Sequence, residues 1–176
     1  YVVASDTDSI YIRLGEVVNK IFKDKSDTRK IVKIMDKFCN ETIQPQIDKS
    51  FDKLAKYVSA YEQKMIMKRE VIANKGIWTA KKRYILNVYN DEGVELKQPK
   101  LKIMGIEAVK SSTPAPCRVK IKEALNVIMT QDENALIQFI EKFRTEFKSL
   151  PPHEIAFPRS CNNLKKYTSS TTIYQK

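Results

Sequence analysis

Two β-branched runs around an acidic turn constrain the fold of this chain more than any other stretch. Tyr1-Val2-Val3-Ala4 leads into Ser5-Asp6-Thr7-Asp8-Ser9, and Ile10-Tyr11-Ile12-Arg13-Leu14 leaves it. Apolar alternation on both sides of a short polar stretch predicts a β-hairpin with Asp6-Thr7-Asp8 at its tip. Residues two apart in extended backbone point to one side, which gives the Asp6 and Asp8 carboxylates a common direction. Like charges held close repel, and a cation between them relieves the repulsion. Hard oxygen ligands of this kind suit Mg²⁺, with Mn²⁺ as the alternative, and not zinc. The same residue types also build ordinary solvated turns, so the acidic pair alone leaves both readings open.

Helical spacing takes over after the hairpin. Glu16 to Phe22 forms a short amphipathic piece, and the polar break Lys23 to Asp27 ends in Ser26 or Asp27 as the cap of the next helix. Ile31, Ile34, Met35 and Phe38, then Ile43, Ile47, Phe51, Leu54 and Val58, make one apolar stripe. Pro45 inside that run predicts a kink or a split into two helices. The stripe is packing architecture and carries no chemistry.

Strand character returns at Met65-Ile66-Met67-Lys68-Arg69-Glu70-Val71-Ile72, where alternation sets Glu70 among apolar neighbours. A salt bridge to Lys68 or to a base on a neighbouring strand accounts for that acid. Trp78 to Tyr89 reads as one further strand. Its period of two places Trp78, Ala80, Lys82, Tyr84, Leu86 and Val88 on one face, with Lys81, Arg83, Ile85 and Asn87 opposite. Three consecutive cations interleaved with aromatics suit a nucleic-acid backbone, where ammonium and guanidinium groups meet phosphates. An edge strand guarded by lysines fits the same pattern. Asn90 to Gly93 predicts a turn, with Gly93 available for positive φ. Leu101 to Gly105 predicts a short strand. Thr113 before Pro114 predicts an N-cap of a helix whose start can hold a phosphate. Two antiparallel helices follow, with Ile121, Ala124, Leu125 and Ile128 on one apolar face and Leu136, Phe139, Ile140, Phe143 and Phe147 on the other.

The excess of 32 Lys and Arg over 21 Asp and Glu leaves a net charge of +11. That balance suits a polyanionic partner, although basic surfaces also serve solubility alone. No apolar run approaches the roughly 20 residues that span a bilayer. Cys39, Cys117 and Cys161 form neither an even framework nor a metal pair, which points to a reducing compartment. His153 sits after two prolines and is given no role. The chain opens in mid-strand without an initiator Met, so it reads as part of a longer protein.

Asp6-Thr7-Asp8-Ser9 followed by an apolar residue and Tyr11 resembles the Asp-Thr-Asp-Ser signature of family-B DNA polymerases. Lys81-Lys82-Arg83-Tyr84 is similar to that family's Lys-Lys-Arg-Tyr motif, in the expected order. Leu101 to Glu107 and Ser111-Ser112-Thr113-Pro114 resemble the passage from palm to thumb in polymerases of T-even-type bacteriophages and their marine relatives. Ser5 stands where the family usually has Gly.

The resemblance implies an α+β fold. Residues 1–104 would be part of a palm, an antiparallel sheet with helices on one face, and residues 105–176 the start of a mostly helical thumb. It implies template-directed nucleotidyl transfer in viral DNA replication by a two-metal mechanism. Asp8 would be a direct metal ligand, Asp6 a supporting one and Glu70 a third acid nearby. Lys82 and Tyr84 would grip the primer, assisted by Lys81 and Arg83. Thr7 and Ser9 would flank the nucleotide, and Ser112 and Thr113 would meet DNA. The implied partners are primer–template DNA, deoxynucleoside triphosphates and the upstream palm, fingers and exonuclease regions of the same polypeptide, in the cytoplasm of an infected bacterium. A further metal-binding Asp would lie upstream, so this segment alone is expected to be inactive. The thumb of that family continues beyond residue 176, and the tail Lys165 to Lys176 is expected to lack its ordering partners. The other readings are a non-catalytic nucleic-acid-binding module and another palm-type metal-dependent nucleotidyl enzyme.

Overall fold

The computed structural model describes residues 1–160 and 162. Cys161 and the tail from Lys165 to Lys176 therefore lie outside the described residues. The chain divides into two compact units, Tyr1–Ile106 and the residues from Glu107 onward. Antiparallel sheets and helices coexist, which is the α+β class expected from the sequence.

In the first unit, β1 (Val2–Asp6) and β2 (Ser9–Ile12) form a two-stranded antiparallel hairpin. Val3 is bulged between the Val2–Ile12 and Ala4–Tyr11 pairs. Next come α1 (Gly15–Ile21) and α2 (Thr28–Phe38). Asp27 caps α2 by accepting a bond from the Lys30 amide at 3.0 Å. This satisfies one of the orphan donors of the first turn.

Pro45 neither breaks nor cleanly splits the helical stretch. A π-helical turn over Cys39–Ile43 passes into α3 (Gln44–Tyr57), with Pro45 in its first turn. The wider turn lets the Gln44 amide reach the Cys39 carbonyl five residues back, and the missing Pro45 donor falls where an α-helix start needs none.

A three-stranded sheet completes the unit, with β3 (Val71–Ala80), β4 (Arg83–Asp91) and β5 (Val94–Met104) in the order β3-β4-β5. β4 is central, and Ile85, Leu86, Asn87 and Val88 are consecutively buried because both of its faces are covered. Val32 and Met35 of α2 add to that core. Glu92 and Gly93, both at positive φ, make the two-residue turn between β4 and β5. Two positive φ values match the right-handed twist of a hairpin, as expected for that turn. β5 is longer than the short strand expected at Leu101–Gly105. It keeps Pro99 because a sheet edge tolerates a residue without an N–H.

Two strand expectations fail in this unit. Met65 to Glu70 is not a strand, because β3 begins only at Val71. Several of its polar groups find individual partners instead. Gln44 Nε2 donates to the Met67 carbonyl at 2.8 Å, and the Glu92 amide donates to that of Glu70 at 2.6 Å. Arg69 pairs with Asp36 of α2 at 2.5 Å and donates to Asn90 of β4 at 2.9 Å. Nor is Trp78–Tyr89 one strand, since Lys81-Lys82 is a hairpin turn between β3 and β4.

The second unit holds α4 (Ala115–Thr130), α5 (Glu133–Ser149) and the short α6 (Pro152–Ile155). Lys120, early in α4, pairs at 3.1 Å with Glu146, late in α5, so the two helices run antiparallel as expected. Leu125 and Met129 are buried, and Phe143 and Phe147 meet edge-on at 5.6 Å. Thr113 is not the cap of α4. Pro114 occupies that position with extended backbone (φ −52°, ψ 141°), which starts the helix one residue later.

Candidate functional site

The tip of the first hairpin is tighter than alternation suggests. Asp6 pairs with Ser9 at the end of the ladder, leaving Thr7 and Asp8 as a two-residue turn. Thr7 lies at φ +48°, a left-handed conformation that a β-branched side chain rarely adopts. Such strain, on the order of 1–3 kcal/mol, clusters at functional sites. Because Thr7 is not extended, the simple alternation that gave Asp6 and Asp8 one direction does not hold through the tip. Asp6 ends a strand and Asp8 sits in the turn. The hydroxyls of the two nucleotide-site candidates bind locally: Thr7 Oγ1 lies 3.4 Å from Asp6 Oδ1, and Ser9 Oγ donates to the Asp6 carbonyl at 3.1 Å.

The second hairpin brings its basic turn to the same place. Lys82 stands at φ +60°, and its Nζ lies 3.8 Å from Asp6 Oδ2. The expectation that Lys82 and Tyr84 share a strand face fails, because the chain reverses at Lys81-Lys82. The two residues are neighbours for another reason: Arg83 restarts the ladder, and Tyr84 pairs with Trp78 directly across it. Burial pushes the Tyr84 hydroxyl well above its ordinary pKa, helped by its hydrogen bond to Tyr11 and by the charges of Glu70 and Asp6. Tyr84 therefore stays a protonated donor at neutral pH, within the field of both acids. Glu70 itself is paired with Lys102 of β5. Lys81 is exposed in the turn, and Thr79 Oγ1 donates to the Arg83 carbonyl at 3.3 Å.

A cleft of about 800 Å³ within the first unit is lined by Asp8, Ser9, Tyr11, Glu70 and Trp78, among others. The donor set fits a hard cation in kind, since Asp6, Asp8 and Glu70 offer only oxygen. It does not complete a site, because no cluster of three ligating side chains exists among the described residues. In the second unit Ser112 is exposed before α4, whereas Thr113 is buried, with its amide bonded to the Lys110 carbonyl at 3.2 Å. A Thr113 hydroxyl at that depth is poorly placed to greet a phosphate.

Gly105, at φ +66°, closes against the basic turn: a Cβ there would collide with the Lys82 carbonyl oxygen and crowd Arg83. Gly105→Ala is expected to destabilise the fold by about 2–4 kcal/mol, since backbone strain and a backbone collision add. Denaturant unfolding measures it. A change below about 0.5 kcal/mol would mean that the turn does not rest on this glycine.

Sequence reasoning missed Tyr11. It touches both Trp78 and Tyr84 at 5.3 Å between ring centroids. Its place on an alternating strand beside the acidic tip, within the motif string itself, was the available signal.

No protein-family model matches the chain. It is similar to the DNA-directed DNA polymerase of Escherichia phage RB69, 39% identical over 176 residues that cover 95% of this chain and 20% of that protein. It is also similar to the DNA-directed DNA polymerase of Enterobacteria phage T4, 34% identical over 179 residues, with the same two shares. The chain thus spans about a fifth of the length of these relatives, and the likeness runs through nearly all of it.

Proposed function

We infer that this chain is a segment of a family-B DNA-directed DNA polymerase of the T4-like phage type, carrying the acidic hairpin of its metal site and its primer-gripping turn. The observation that carries the reading is the meeting of Asp6 and Lys82 from two separate hairpins. One hairpin supplies carboxylates for a cation, and the other supplies cations for a phosphate backbone. Residues 1–104 then form part of the palm and residues 105–176 begin the thumb.

In this reading Asp8 would hold Mg²⁺, or Mn²⁺, and Asp6 would support it. Glu70 is the outer acid. The cations, when bound, stabilise the attacking primer oxygen and the leaving pyrophosphate oxygen. Lys82 and Tyr84 fix the primer end by a charge and a directional hydroxyl, with Lys81 and Arg83 beside them. Thr7 and Ser9 flank the deoxynucleoside triphosphate, and the Ser112-Thr113 stretch belongs to a DNA-contacting passage in which Ser112 is the exposed member and Thr113 supports it from below. Further carboxylate and triphosphate contacts come from upstream palm and fingers regions of the longer polypeptide, acting in an infected bacterial cell. No helix among the described residues is long and apolar enough to cross a membrane.

Two experiments test the reading. The chain itself, at +11, is expected to bind primer–template DNA weakly and with strong salt dependence. Neutralising about four phosphates gives a log–log slope of roughly −3.6. A slope near zero would make the excess charge a solvated surface only. In the full-length protein, consumption of a nucleoside triphosphate should require both primer and template. Turnover without a template would favour another palm-type enzyme, and binding without turnover a non-catalytic module.

A further inference from the structure

We propose that Tyr11 is a positioning residue that holds Tyr84, and with it the Lys81-Lys82 turn, in place against the Asp6–Asp8 hairpin. The proposal rests on the polymerase reading above and goes beyond it by assigning the joint between its two halves.

Some joint is needed. The two hairpins belong to different sheets, so no ladder of backbone bonds ties them together. The Lys82–Asp6 pair spans 3.8 Å and its lysine side chain is 67% exposed, so salt and water screen it. The aromatic contact is of another kind. Tyr11 projects from β2, three residues after Asp8, and meets Trp78 at 68° and Tyr84 at 58° between ring planes. Trp78 and Tyr84 are direct cross-strand partners, 6.3 Å apart. Tilted and edge-on aromatic pairs prefer particular geometries, so three rings in mutual contact resist sliding. Tyr84 lies only two residues after Lys82, which makes the lever from this contact to the basic turn short.

The hydroxyls add direction. Tyr84 is hydrogen-bonded to Tyr11, and either hydroxyl can serve as the donor. A phenol has one proton to give and lone pairs to receive. Before a primer arrives, that bond fixes the Tyr84 ring in one orientation. When a primer oxygen approaches, Tyr84 turns its O–H toward it, and Tyr11 in turn donates to the Tyr84 oxygen. Each proton stays on its own oxygen, and none is transferred. Tyr11 thus acts through Tyr84 and need not touch DNA.

The test is a double-mutant cycle in the full-length protein, read by single-turnover primer extension, primer–template affinity and thermal stability. Tyr11→Phe keeps the ring and removes the hydroxyl. It is expected to slow extension about tenfold, the size of one net hydrogen bond, with affinity nearly unchanged and the melting temperature lowered by no more than a few degrees. Tyr84→Phe should do at least as much, and the double variant should be no slower than the slower single variant. Effects that multiply would overturn the coupling. So would a normal rate for Tyr11→Phe, or for Tyr84→Phe, since nothing would then be positioned. A role confined to packing predicts a lower melting temperature with normal extension by the folded fraction, which also overturns the proposal. Failure of the unmodified protein to extend a primer would instead refute the polymerase reading itself.

Discussion

Asp8→Asn in the full-length protein is expected to lower primer extension by about a thousandfold or more while leaving primer–template affinity within about threefold. The substitution keeps size and shape and removes one negative charge from a set of hard oxygen ligands. In the polymerase reading, binding of a divalent cation would depend on that charge, whereas DNA binding would depend on cations elsewhere in the chain. Asp6→Asn should do less harm, because Asp6 is already paired with Lys82 and is assigned a supporting role. Rapid extension by Asp8→Asn would remove the metal assignment. A parallel loss of DNA affinity would point to a folding defect at the strained tip instead.

Lys82→Ala is expected to slow single-turnover extension by about a hundredfold, with a much smaller loss of overall DNA affinity. Misplacing a reacting end by about 1 Å costs that much, because orientation supplies a large part of the barrier reduction. Lys82 stands at φ +60°, so its replacement raises a backbone question as well as a charge question. Lys82→Gly separates the two: it eases the backbone and still removes the ammonium group. Equal slowing by both variants assigns the effect to the side chain. Lys33→Ala, on an exposed position of α2, should change neither rate nor affinity. If Lys82 only guards an edge or bridges to Asp6, stability should fall while the folded fraction extends primers normally.

Much of the fold could be read locally. The opening hairpin, the Asp27 cap and the Glu92-Gly93 turn each depend on residue types whose preferences act within a few positions. The paired helices of the second unit follow from period alone. The two strand misreadings share a cause, which is that tertiary partners replaced local ones. Met65 to Glu70 alternates like a strand, yet Asp36, Gln44 and Asn90 take up its polar groups. The Lys81-Lys82 reversal lacks Gly or Asn at its positive-φ position, so nothing in the string marks a turn; Gly105, distant in sequence, makes room for it.

The candidate site was legible as two motifs and not as one place. The acidic hairpin and the basic tetrad are 75 residues apart, counting from Asp6 to Lys81. The geometry that joins them, Asp6 to Lys82 and Tyr11 to Tyr84, belongs to the folded chain. Alternation even put Lys82 and Tyr84 together for the wrong reason. The family resemblance, drawn from the motifs, agrees with the two phage polymerases to which the chain is similar.

The most direct test of the polymerase reading is single-nucleotide incorporation by the full-length protein on four primer–templates that differ only in the next template base. The reading predicts Mg²⁺-dependent addition of the complementary deoxynucleotide on each template, and loss of all four additions in Asp8→Asn. Incorporation indifferent to the template base, or undiminished in Asp8→Asn, would contradict it.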